Sequence, residues 1–279
     1  MNDALGDRMK LYESREHDRR VMQLLPVCVR LDGKRFSKWT EGLARPFDKR
    51  LSEVMVETTR RLVVETSACI GYTQSDEISL VLYTDDPKRQ LYLDGRIQKL
   101  TSILASMTTA WFNEVARSAI PERRDRVALF DCRVWTVPSR EEAANALLWR
   151  ERDATKNSLS MAARHHYAHD ELMDVDASGL HERLHAVGVN WNDYPRFFKR
   201  GSFLQRRLVE RPFEAEELAL LPPKHEAHTN PDLVVVRSTV AEVEMPPFDR
   251  VMNRAEVVFE GASPRVASEN AGHPGDRSP

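Results

Sequence analysis

The order in which apolar segments change period constrains this chain more than any other feature. Val27 to Leu31 is a short apolar run that reads as a buried strand, and Leu51, Val54, Met55, Thr58, Leu62 and Val63 then recur at helical spacing from about Lys49 to Glu65. Asp48 is placed to cap that helix. A hairpin follows, with Cys69 to Thr73 and Ile78 to Tyr83 as its arms. Ile97, Leu100, Ile103, Leu104, Met107 and Trp111 mark one face of a second helix over about Arg89 to Ala119, which ends before Pro121. Another strand is expected over about Ala128 to Val137. The order strand, helix, strand, strand, helix, strand is the ferredoxin-like (βαββαβ) arrangement, an α+β fold whose four-stranded antiparallel sheet carries both helices on one face.

The first and third strands are central in that topology, and each carries an acidic group at its edge. Arg30-Leu31-Asp32-Gly33-Lys34 closes the first strand, and Gln74-Ser75-Asp76-Glu77 opens the third. Antiparallel neighbours bring those opposite ends together, so Asp32 and Asp76 are expected to converge. Two carboxylates beside a glycine, whose backbone carbonyl approaches an ion unobstructed, make a hard-oxygen site for Mg²⁺. Such a site serves phosphoryl or nucleotidyl transfer. Taken singly, each segment also reads as an ordinary turn, because Asp-Gly is among the commonest turn dipeptides and Ser-Asp-Glu suits a polar hairpin loop.

With 279 residues, 41% of them apolar and 30% charged, the chain has material for a sizeable core. No apolar run approaches the roughly 20 residues that span a bilayer, and Met1 to Arg20 is studded with charge, so a membrane role is excluded and a cytoplasmic location expected. Cys28, Cys69 and Cys132 lie in or beside strand-like segments without Cys-x-x-Cys spacing and read as core thiols. A net charge of −2 does not announce a nucleic-acid binder, although Arg123, Arg124 and Arg126, then Arg45, Lys49 and Arg50, and then Lys199, Arg200, Arg206 and Arg207 form local basic clusters. His165 and His169 are four apart on a helix, but with no glutamate between them they read as ordinary histidines. The aromatic stretch Trp191 to Phe198 suits packing better than base stacking.

Several ordered motifs carry a resemblance: Val29-Arg30-Leu31-Asp32-Gly33-Lys34-Arg35-Phe36, Arg45-Pro46-Phe47-Asp48, Tyr72-Thr73-Gln74-Ser75-Asp76-Glu77, Phe130-Asp131-Cys132-Arg133, Trp149-Arg150 with Asp153 and Asn157, and Lys199-Arg200-Gly201. From about residue 20 to 205 the sequence resembles the tRNA-His guanylyltransferases and their bacterial and archaeal relatives, which add nucleotides to RNA 5′ ends in the 3′ to 5′ direction. The resemblance implies a polymerase-palm-type core with an N-terminal helix (1–140), a helical and strand extension packed on it (141–260), and a mobile tail (261–279). It implies that Asp32, the Gly33 carbonyl and Asp76 hold two Mg²⁺ ions, with Glu77 as a third catalytic acid. Nucleotide and triphosphate contacts fall on Arg30, Lys34, Arg35, Phe36, Arg45, Asp48, Ser75, Lys99, Asn157 and Lys199, and RNA contacts on Arg133, Arg150 and Arg200. ATP and GTP are implied as substrates, tRNA as the partner, and a homotetramer or dimer as the assembly.

One departure bears on the reaction. Eukaryotic members that add a single G to tRNA-His carry a His-Ile-Asn-Asn run where this chain has Thr155-Lys156-Asn157-Ser158. Relatives without that run favour templated repair of 5′-truncated tRNA, so repair-type addition is the expectation, with tRNA-His-specific G addition as the alternative. A palm-fold nucleotide cyclase and a non-catalytic RNA-binding protein are the rivals from other classes.

Overall fold

The computed structural model describes residues 4–267. Its strands are β1 (Val27–Gly33), β2 (Ile70–Gln74), β3 (Glu77–Leu82), β4 (Phe130–Thr136), β5 (Ser202–Pro212) and β6 (Val234–Val243). Together they make one antiparallel sheet in the order β4-β1-β3-β2-β5-β6. The first four have the expected ferredoxin-like order with β1 and β3 in the middle, and the C-terminal part of the chain extends the same sheet by two strands. Only Ser202 to Gln205 of β5 pair with β2; the rest of β5 pairs with β6 alone and forms a two-stranded arm.

The helices are α1 (Ala4–His17), α2 (Phe36–Trp39), α3 (Lys49–Thr66), α4 (Ile97–Ala119), α5 (Arg140–His166), α6 (Ala177–Ala186), α7 (Arg196–Arg200), α8 (Ala215–Leu220) and α9 (Arg254–Phe259). Strand pleating divides the side chains between two cores. Val27, Val29 and Leu31 of β1 and Ile78, Leu80 and Leu82 of β3 pack against α3 and α4, whose Val54, Met55, Leu62, Leu100, Leu104 and Phe112 are buried there. Cys28, Ile70, Tyr72, Val81 and Phe203 point the other way, onto Ala143, Ala144 and Leu147 of α5 and Val257 and Val258 of α9. A third cluster joins α5 to α6 and α7 and takes in Trp191 and Phe198, so the aromatic stretch serves packing.

Two segments differ from the sequence expectation. α4 begins at Ile97, not Arg89, because Leu93, Asp94 and Gly95 all take left-handed backbone, which no α-helix accommodates. α5 is one helix of 27 residues, started by the Ser139 hydroxyl accepting the Glu142 N–H at 3.2 Å, with Glu141 and Glu142 in its first turn. The start of the expected mobile tail is tied down: the Ala262 carbonyl accepts from Gln205 Nε2 at 2.8 Å, the Ser263 carbonyl from Asn253 Nδ2 at 3.0 Å, and Val266 bridges Val251. Residues 268–279 of that expectation lie outside the described residues. Cys28 and Cys69 are buried, all three thiols are free, and burial pushes Cys28 and Cys132 up to about 12.

Candidate active site

The β1–β3–β4 register builds the site. Asp32 stands opposite Glu77 on one side and Asp131 on the other, and one step along the pleat Arg30 stands opposite Ser79 and Arg133. All of these alternate with residues of the α3/α4 core and therefore share the α5 face of the sheet. An acidic row thus lies at the sheet end and a basic row directly behind it.

Asp76 joins the acidic row from the β2–β3 turn, where Gln74 pairs with Glu77 and Ser75 takes φ 54°. A non-glycine residue there costs on the order of 1–3 kcal/mol, so the surroundings must hold the turn. They do so through Gly33, whose N–H donates to the Asp76 carbonyl at 3.1 Å, and through the Ser75 hydroxyl, which donates to Asp76 Oδ1 at 3.1 Å. A Cβ on Gly33 would meet the Phe36 ring at 2.5 Å and Asp76 Cβ at 3.0 Å. Only glycine lets the turn close on β1. Burial, and then the Asp32 charge, push the Asp76 carboxyl from 3.8 up to about 6. Two acids held together suit a divalent ion, and Asp32, Asp76 and the Gly33 carbonyl are the hard oxygens that could hold Mg²⁺. Among the described residues no group of three or more His, Cys, Asp or Glu side chains is arranged to hold a metal, His165, His166 and His169 included.

Glu77 is differently employed. Arg150 of α5 donates to both of its oxygens, Nε to Oε1 at 2.6 Å and Nη2 to Oε2 at 2.7 Å, and Nη1 to Asp153 at 2.6 Å. Burial pushes the Glu77 carboxyl up and the Arg150 guanidinium opposes that shift. Glu77 therefore locks α5 to β3. Arg150, expected at the RNA, has three of its five N–H donors engaged inside the protein.

α5 carries the site onward. Arg150, Asp153, Asn157 and Met161 recur at helical spacing, and Met161 lines a cleft of about 440 Å³ together with Thr40, Ala44, Arg45, Asp48, Ser75 and Asp76. Exposed Asn157 falls on this stripe. Arg45 also lines a smaller recess with Arg164 and His165. Behind the cleft is a more apolar one formed by Phe47, Leu51, Met55, Met161, Phe197 and Phe198.

Phe36 and Asp48 line this cleft while serving packing and capping, and other expected contacts lie away from it. Lys99 lies in the first turns of α4, beside Asp94 and Arg96. Thr109 of that helix is level with Phe130, the partner of Gly33, which puts Lys99 about 15 Å away along the helix axis. Phe36 is 5% exposed in an aromatic cluster with Trp39, Phe112 and Phe130. Asp48 caps α3 through the Arg50 N–H at 3.0 Å and pairs with the Arg50 guanidinium at 2.7 Å, which holds its carboxyl below the usual range. Lys199 is buried, with its ammonium on the Asn192 carbonyl and over the Trp191 ring. Arg200 Nε is buried without a partner. Lys34 and Arg35 are exposed just past β1, and Arg133 is exposed on the edge strand. Asp131 and Met161 carried no expected role; strand alternation from Arg133 and helical spacing from Arg150 would have found them.

A ferredoxin-like sheet with paired acids where its two central strands meet defines a palm-type domain. Residues 6–138 match the tRNAHis guanylyltransferase family model. Among solved structures, a bacterial tRNA(His) guanylyltransferase-like protein in complex with ATP is 38% identical over 72% of this chain and 88% of its own, with TM-score 0.69. One in complex with GTP is 32% identical over 88% of this chain and 94% of its own, with TM-score 0.66. The tRNA(His) guanylyltransferase of Debaryomyces hansenii is 28% identical over 206 residues, 66% of this chain and 75% of its own length. The chain belongs to the tRNA(His) guanylyltransferase family, whose members are nucleotidyltransferases.

Proposed function

We propose that this protein extends the 5′ end of tRNA in the 3′ to 5′ direction, and that the substrate is a 5′-truncated tRNA whose opposite strand selects the incoming nucleotide. The observation that carries the reading is the convergence of Asp32 and Asp76 across β1 and β3 in a chain of this family. Relatives solved with ATP and with GTP support both nucleotides as substrates. A 5′-monophosphorylated RNA attacks the α-phosphate of ATP and releases pyrophosphate. The 3′-hydroxyl of GTP or another nucleoside triphosphate then attacks the activated 5′ phosphate and releases AMP.

Two Mg²⁺ ions held by Asp32, Asp76 and the Gly33 carbonyl would lower the pKa of the attacking hydroxyl and neutralise charge on the phosphoryl oxygens. Arg45, at the mouth of the cleft beside Asp76, provides a guanidinium suited to a triphosphate. Glu77 and Arg150 fix α5, whose Met161 lines the same cleft. The Thr155-Lys156-Asn157-Ser158 run leaves no imidazole on this stretch of α5, which favours repair over strict tRNA-His G addition.

The test is extension of 5′-truncated, 5′-monophosphorylated tRNA with Mg²⁺, ATP and each nucleoside triphosphate in turn. Growth only by nucleotides that pair with the opposite strand is expected. Addition of G regardless of the opposing base would favour the tRNA-His-specific alternative, and a cyclic product from ATP or GTP alone would replace both readings.

A further inference from the structure

We infer that Trp149 is a stacking platform for an RNA base adjacent to the reacting 5′ end. The inference rests on the proposed RNA substrate and deepens it. Trp149 lies on α5 beside the basic row, and 48% of it is exposed, unusual for so large an aromatic. Its indole is held from two sides of the sequence. The Arg150 guanidinium lies 4.5 Å from the ring centroid and the Arg30 guanidinium 5.4 Å from it. Arg150 is itself fixed on both Glu77 oxygens, and Glu77 is the register neighbour of Asp32. The ring is therefore pre-positioned relative to the acid pair by a rigid chain of contacts, Trp149 to Arg150 to Glu77 to Asp32.

The charge around the ring specifies the occupant. The Arg30 side chain makes no hydrogen bond or ion pair among the described residues, and its Nε is buried without a partner there. Arg133, its neighbour across β1 and β4, is exposed and has only a 3.5 Å contact to Asp131, itself half-exposed. Such an exposed pair contributes little and is readily exchanged for another anion. An exposed aromatic with the under-used Arg30 guanidinium beside it, and exposed Arg133 across the strand pair from Arg30, matches a nucleobase with its flanking phosphates, since stacking takes any base and arginine takes the phosphate oxygens. The nucleotide cleft lies elsewhere, beyond Asp76 toward Arg45 and Met161. The ring thus belongs to the RNA side of the acid pair and is a positioning residue for the 5′ end.

The experiment measures affinity for 5′-monophosphorylated, 5′-truncated tRNA by fluorescence anisotropy without nucleotides, and affinity for ATP and GTP separately, in the wild type, Trp149→Ala and Trp149→Phe. Trp149→Ala should weaken RNA binding about tenfold or more, Trp149→Phe should restore most of it, and nucleotide affinity should stay within about twofold. RNA should quench tryptophan fluorescence in the wild type and much less in Trp149→Phe. RNA affinity unchanged in Trp149→Ala, or a loss confined to nucleotide binding, overturns the platform while leaving the RNA reading intact. Failure of the wild type to bind this RNA overturns both.

Discussion

Asp76 has an acidity set by its surroundings: burial and the neighbouring Asp32 charge raise it to about 6. Because the folded value lies above that of the unfolded chain, the metal-free protein loses stability as pH rises from about 4 through 6. A bound divalent ion must displace that proton. Mn²⁺ affinity, read by titration calorimetry, should therefore weaken as pH falls from about 7 to 5, and Asp76→Asn should remove the dependence; a flat profile in the wild type would contradict the site. Glu151 behaves alike, again chiefly through burial. It is 4% exposed, accepts the Phe248 N–H at 2.9 Å, and burial raises it to about 7. Stability should fall as pH rises from about 5 through 7, and Glu151→Gln, which keeps an acceptor, should flatten that slope in thermal melts. Gly33→Ala would drive a methyl into Phe36 and Asp76, costing about 1–3 kcal/mol and at least a hundredfold in addition. The meeting of Asp32, Gly33 and Asp76 at adjoining strand ends was legible because strand-end acids and a turn glycine are local signals. The employment of Glu77, Asp48 and Lys199 was not, since each depends on a partner that only folding supplies.

At the scale of elements, α5 and β3 are joined by one ion pair at the heart of the site. The Arg150 and Glu77 side chains are 15% and 12% exposed, so Arg150→Ala strands a buried carboxylate and should cost about 3–5 kcal/mol in chemical denaturation. If Glu77 instead served mainly as a catalytic acid, Arg150→Ala would leave stability within about 1 kcal/mol. Periodicity made β1, α3 and the β2–β3 hairpin legible, because each buries one clear face. It placed the start of α4 too early, since three successive left-handed residues at 93–95 carry no apolar signature beyond Gly95 itself.

For the molecule as a whole, the extension is integral to the palm. Gln205 is fully buried in β5 and donates to the Val257 carbonyl at 2.6 Å and to the Ala262 carbonyl at 2.8 Å, so one amide ties α9 and the following segment to the sheet. Gln205→Ala orphans both carbonyls and should lower stability by about 2–4 kcal/mol while unfolding remains a single transition. That β5 and β6 continue the palm sheet was not legible, because strand pairing across some 130 residues of intervening chain leaves no local trace.

Every level of this account meets in the two aspartates. The most direct measurement is 5′ extension of labelled, 5′-truncated tRNA by Asp32→Ala and Asp76→Ala beside the wild type, with tRNA binding measured on the same preparations. Addition should fall at least about a thousandfold in each variant while tRNA affinity stays within a few fold. Addition at near wild-type rates in either variant would show that the acid pair does not drive the chemistry.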